Sequence, residues 1–165
     1  MRVRPEEPTD VEAVRSVHDA AFGQAAEGDL VNALRGGAWW HPSLSLVAES
    51  DGEVVGHVLL TDVTLAGRPV FALGPIGVLP AHQRSGIGSA LMAAALDGAA
   101  TTDRGLITLL GDPAYYSRFG FTPAAGMNVL DPWGAPHGYF MALRLPAYSP
   151  DLVGTPEYPA PWLSV

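Results

Sequence analysis

The chain contains no cysteine and no lysine. The first absence removes disulfides, thiolate metal sites and cysteine nucleophiles together. The second removes the ammonium with which a P-loop holds its phosphates, so a nucleoside triphosphatase of that type is excluded. No apolar run reaches the roughly 18 residues of a membrane span, and the opening MRVRPEEPTDVE lacks the apolar stretch of a signal peptide. A cytoplasmic protein with no membrane partner is therefore expected. All nine basic residues are arginines, set against 17 acidic ones without a basic cluster, so nucleic acid is not an expected partner. The net charge of -8 reads first as a solvated acidic surface. His18, His41, His82 and His137 form no pair at the helical spacing of metal ligands, and no metal is expected. A G-x-S-x-G elbow for a serine hydrolase is also missing.

What is present is a chain of 165 residues, 48% hydrophobic, enough for one sizeable core and short for two. One domain over 1–165 is expected. Its order reads strand, two helices, three strands, helix, strand, short helix, strands, which predicts a mixed α/β sheet. Arg2 to Arg4 begins an edge strand, and Thr9 or Asp10 caps the helix VEAVRSVHDAAF. A second helix, GDLVNALRG, follows the loop GQAAEG. Asp51-Gly52 joins SLSLVAES to EVVGHVLLTDVTL as a hairpin, and Gly67-Arg68-Pro69 reads as the next turn. Gly74, Pro75 and Gly77 break the apolar strand VFALGPIGV and suggest a bulge or splay. A helix is predicted from Ile87 to about Ala100, then a buried strand LITLL, a short helix in AYYSRFGF and a strand in GYFMALRL. Five prolines fall in residues 146–165, so that segment is expected to wrap the surface in extended form.

The stretch AHQRSGIGSALM carries the most chemistry. Glycines at the mouth of a helix aim unpaired N–H groups and the positive end of the helix dipole at one spot, which suits an anion. Glycine also admits a phosphate close to the main chain. Close packing of helix on sheet would use the same glycines. A dinucleotide fingerprint is disfavoured, because Leu91 stands where its third glycine belongs.

GVLPAHQRSGIGSAL resembles the acetyl-CoA motif of the GNAT superfamily of acyltransferases, Q/R-x-x-G-x-G/A after a splayed strand, through Gln83, Gly86 and Gly88. Arg84 departs from the glycine common at its position. The element order resembles that family over about residues 2–145, and LGP, QRSGIG and GDPAYYSRFGF resemble a small bacterial branch of it. The resemblance implies a GNAT fold: a mostly antiparallel mixed sheet whose fourth and fifth strands are splayed, flanked by about four helices. It also implies direct transfer of acetyl from acetyl-CoA to a primary amine of a small molecule or peptide. A transferase of another acyl-CoA, or a binding module without catalysis, shares the same pattern.

On that resemblance Gln83, Arg84, Ser85, Gly86, Ile87, Gly88 and Ser89 form the diphosphate cradle. Ile76, Gly77 and Val78 offer main-chain groups to pantetheine, with Val78 N–H near the acetyl oxygen. Tyr116, four residues before the glycine of the Gly120-Phe121 pair, is the acid for the departing thiolate, and a phenol is protonated at neutral pH; its neighbour Tyr115 is expected in the core or the acceptor wall. The strand that holds a glutamate in many relatives has no carboxylate here. His57, Glu49, Asp62 and a water relay are the candidates for the base, and Phe22, Glu27 and His57 for the acceptor site. Relatives often dimerise, and a homodimer bridged by the proline-rich segment is one expectation.

Overall fold

Period-two alternation in the long apolar runs builds the sheet and decides what lies on each side of it. The computed structural model describes residues 1–164. Seven strands, β1 (Arg2–Pro5), β2 (Trp40–Ser50), β3 (Glu53–Leu65), β4 (Arg68–Val78), β5 (Leu106–Leu110), β6 (Thr122–Pro123) and β7 (Phe140–Arg144), lie in the order β1-β2-β3-β4-β5-β7-β6. All neighbours are antiparallel except β4 and β5. Four α-helices accompany them: α1 (Val11–Phe22), α2 (Ala26–Leu34), α3 (Ile87–Ala100) and α4 (Pro113–Tyr116). This is the expected mixed sheet. Among the described residues, no helix is long and apolar enough to cross a membrane.

Adjacent residues of one strand serve opposite layers. Leu46, Val58, Leu60 and Phe71 pack with Leu91, Met92 and Ala95 of α3, while Val47 and Leu59 pack with Val14 of α1 and Val31 and Leu34 of α2. Further along the second face the cover is not helical. Val70, Ala72 and Ala142 lie under Leu152, Trp133, Tyr158 and Trp162, so the proline-rich segment does there what helices do beside it. Thr64 and Glu157 exchange both main-chain hydrogen bonds, at 2.9 and 2.7 Å, and stitch that segment to the end of β3. The expected extended course ends in a 3-10 turn, Ala160–Ser164, against α2.

Local differences from the sequence reading have simple causes. The β3–β4 turn centres on Ala66 and Gly67, both at positive φ (51° and 73°), matching the primed turn of Asp51-Gly52; Arg68 and Pro69 already belong to β4. Proline's fixed negative φ suits a strand start and cannot serve that turn. Helix α2 begins at Ala26, two residues before the expected start. Asp10 stands at the start of α1 without capping it; its carboxylate accepts from Arg4 at 2.7 and 3.1 Å and from Glu7 N–H at 2.7 Å, and the Arg4 guanidinium holds it below the usual carboxylate range.

Candidate active site

The site begins with a mismatch in β4. Val58 pairs with Ile76 and Leu60 with Leu73, so Gly74 and Pro75 together face Leu59. Gly74 sits at φ 144°, where a side chain is strained. The bulge turns the end of β4 away from β5: the two strands pair only at Phe71–Ile107 and Ala72–Thr108, while β5 stays with β7 as far as Leu110. A V-shaped gap opens between them.

The pleat determines which main-chain groups face that gap. Leu79 N–H donates to Val55 O on β3 at 2.8 Å, so by alternation Gly77 also turns its N–H and C=O toward β3, and Ile76 and Val78 turn theirs toward the gap. Consistently, Val78 O accepts from Gln83 Nε2 at 3.0 Å instead of from β3. Gly77 thus contributes no free main-chain group, contrary to expectation. Nor can it carry a side chain, because a Cβ there would lie 2.9 Å from His18 Nδ1.

At the mouth of α3, Arg84 (φ 60°) and Gly86 (φ 87°) are left-handed. Arg84 thus adopts a conformation that favours glycine, at a cost of about 1 kcal/mol. Among the described residues no acceptor takes the N–H groups of Arg84, Ser85 or Gly86, and those of Ile87, Gly88 and Ser89 are unpaired as the first donors of the helix. Gln83 N–H is already given to Pro80 O at 3.3 Å, so the run of free donors starts one residue later than expected, at Arg84. A Cβ on Gly88 would meet Tyr115 Oη at 3.2 Å.

These elements enclose a groove of about 660 Å³ whose lining includes Ile76, Gly77, Val78, Gln83, Arg84, Gly86, Gly88, Ser89 and Tyr116. Ser85 and Ile87 are not among its lining residues: the Ser85 hydroxyl donates to His82 O, and Ile87 is buried in the core. The sequence reading missed His82 and Arg118 here and misplaced Tyr115. Arg118 Nε donates to Tyr115 O at 3.0 Å, with its guanidinium 4.6 Å from that ring. The three-residue spacing of Tyr115 and Arg118 on a short helix is the signal that pairs them. The groove therefore carries two arginines and a row of N–H groups, which fits a polyanion.

Tyr116 stands where this groove meets a second cavity of about 280 Å³, lined by Phe22, Glu27, Leu30, Leu73, Leu109 and Trp162 among others. Its ring lies over Gly111, where a Cβ would come within 2.3 Å. Burial, aided by Tyr115, pushes its phenol up to about 12, so it stays protonated at neutral pH. Among the described residues its hydroxyl has no hydrogen-bond partner. Glu27 is held by Gln24 Nε2 at 2.9 and 3.0 Å.

The other expected candidates lie elsewhere. His57 is fully buried and does not reach the acceptor cavity, because α1 covers its face of β3. Its Nε2 bonds Ser45 Oγ at 2.8 Å and its Nδ1 bonds His18 Nε2 at 2.8 Å. Ser45 Oγ in turn donates to Glu6 at 3.2 Å. The carboxylate at the end sets the direction: Ser45 donates to Glu6, His57 to Ser45 and His18 to His57, leaving the buried His18 Nδ1 as an acceptor without a partner. Burial pushes His18 down to about 4 and His57 well below the usual imidazole range, so both are neutral. Glu49 is held by Arg2 and Arg4 at 3.0 and 3.1 Å, and Asp62 by Arg104 at 3.1 and 2.8 Å. Neither lines the groove or the acceptor cavity.

Comparison with known proteins bears on the family and the fold. The model of the acetyltransferase (GNAT) family matches residues 12–121. An uncharacterized N-acetyltransferase of Escherichia coli K12, YjhQ, is 34% identical over 122 residues, 72% of this chain and 67% of its own. The crystal structure of the E. coli GNAT family N-acetyltransferase YhbS in complex with CoA superposes with a TM-score of 0.88 at 29% identity, covering 98% of this chain and 91% of that one. A GNAT family acetyltransferase from Brucella melitensis in complex with acetyl-CoA gives 0.79 at 35% identity, covering 98% and 97%.

Proposed function

The chain belongs to the GNAT acetyltransferase family, and from that premise we propose that it transfers acetyl directly from acetyl-CoA to a primary amine of a small molecule or peptide. The whole of 1–165 is one catalytic unit in this reading, with 146–165 as a strap. The observation that carries it is the run of unpaired N–H groups from Arg84 to Ser89, opening onto a groove that also holds Arg84 and Arg118. Such a concave row binds a diphosphate without a metal-like point charge. The free edge of β4 then takes the pantetheine amides as an added strand would be taken. When bound, acetyl-CoA supplies a thioester carbonyl activated toward an amine.

Each residue has a part that follows from its place. Val78 N–H, turned into the gap, donates to the acetyl oxygen and stabilises the charge that develops there. Gln83 bonds Val78 O and so braces that peptide against the cradle; it is a positioning residue. Tyr116, protonated and at the junction of groove and cavity, gives its proton to the departing thiolate. Glu27, the one carboxylate among the described residues that line the cavity, orients the incoming ammonium and draws off its proton through water. The test is calorimetric. Gly86→Val puts a β-branched side chain at φ 87° beside the N–H row, and it should weaken acetyl-CoA at least about tenfold. Affinity equal to the parent's contradicts the cradle.

A further inference from the structure

A further hollow of about 280 Å³ adjoins the acceptor cavity, lined by Thr108, Trp133 and Tyr158 among others and sharing Leu73, Leu109, Leu110 and Trp162 with it. Both open along the gap between β4 and β5, and the prolines of the C-terminal strap carry its aromatic residues there.

Charge and hydrogen bonding divide the site into parts. The cofactor groove holds Arg84 and Arg118. Among the described residues the acceptor cavity holds one carboxylate, Glu27, and no cation, and the second hollow holds no charged side chain. An acceptor bearing a carboxylate or phosphate therefore meets Glu27 and no counter-charge, whereas an ammonium meets its complement. The hydroxyls of the second hollow are already engaged. Thr108 Oγ1 donates to Phe71 O at 3.2 Å, so Tyr158 Oη donates to Thr108 at 3.0 Å. Neither hydroxyl proton is left for a polar tail, and the one buried unpaired donor on a lining residue among those described is the indole N–H of Trp162. Trp133 and Trp162 meet the ring of Tyr158 edge-on, at centroid distances of 4.8 and 5.3 Å. The volume exceeds the roughly 150 Å³ that accommodates benzene.

We infer that the acceptor is a primary monoamine on an aromatic body, its amine at Glu27 and Tyr116 and its ring in the hollow of Trp133, Tyr158 and Trp162. This rests on the acetyltransferase reading and narrows it: the ring supplies binding energy away from the reacting nitrogen, and the missing second carboxylate discriminates against diamines and polyamines.

The experiment uses the full chain and two independent readouts, acetyl-CoA affinity by calorimetry and CoA release with phenethylamine, tryptamine, spermidine, glutamate and an alanyl peptide. Phenethylamine and tryptamine should exceed the others in kcat/KM by at least about tenfold. Trp162→Ala should raise KM for phenethylamine about tenfold with acetyl-CoA affinity unchanged. It should also weaken the quenching of tryptophan fluorescence that phenethylamine produces in the presence of CoA, leaving the part due to Trp133. Leu110→Asp keeps the test independent of the strap's packing, because Leu110 is 52% exposed and borders both hollows. The added carboxylate should shift the preference toward spermidine about tenfold. The inference is overturned if spermidine, glutamate or the peptide matches the aromatic amines, or if acetyl-CoA binds and neither aromatic amine is acetylated. If acetyl-CoA does not bind at all, the acetyltransferase reading falls first and takes this one with it.

Discussion

Lowering the pH from neutral to 5 should cost the folded protein about 2 kcal/mol through His18 alone. The ring lies wholly inside, and burial holds its pKa at about 4 against 6.5 for a free imidazole, with Asp19 opposing only in part. Above the unfolded value both states are neutral and the stability is complete. As the pH falls below it the unfolded chain takes up a proton and the folded one does not, so stability declines by about 1.4 kcal/mol per pH unit until the folded group titrates. His57 shifts the same way, through burial first and then through His18 and Arg35, and steepens the decline. A loss of this size is a large share of the roughly 5–15 kcal/mol that stabilises a typical domain. Urea unfolding at closely spaced pH values measures it, in a range above that of the carboxylates held low by arginine. The His18→Leu variant is the control: it is less stable overall, since His57 Nδ1 loses its donor, but its slope in this range should be shallower. A flat wild-type profile, or a variant with an undiminished slope, refutes the buried pair of neutral imidazoles.

Other expectations concern the reaction. Tyr116→Phe should lower turnover by roughly 10²–10⁴-fold while leaving acetyl-CoA affinity as it was, read by CoA release beside calorimetry; unchanged turnover removes the phenol from proton transfer. Gly111→Ala introduces a Cβ 2.3 Å from the Tyr116 ring. It should displace that ring and cost about 1–3 kcal/mol in stability, with turnover falling at least about tenfold; a variant with parental turnover and melting temperature shows that the ring is not seated on that glycine.

The sheet and the mouth of α3 were legible in the sequence because their signals are local. The apolar segments either side of Asp51-Gly52 marked β2 and β3, that dipeptide marked the hairpin between them, and the glycines at 86 and 88 announced the start of α3. The splay was legible from Gly74 and Pro75, although not that the pleat would turn Gly77 back toward β3. The acceptor site was only partly legible. Its walls come from the end of α1, the start of α2, the β4 bulge, the end of β5, Tyr116 of α4 and a strap about fifty residues beyond β5, and no periodicity links Phe22 to Trp162. His57 shows the same limit from the other side. The run EVVGHVLLTDVTL put it on β3, but whether α1 or solvent covers its face of that strand is a property of the packing, and α1 covers it.

The central claim is that the main-chain hydrogens from Arg84 to Ser89 grip the diphosphate of coenzyme A. A crystal structure of this chain grown with CoA addresses it directly. The account requires diphosphate oxygens within hydrogen-bonding distance of those N–H groups, with the thiol end reaching Tyr116. A diphosphate bound elsewhere, with protein atoms filling the mouth of α3, contradicts it.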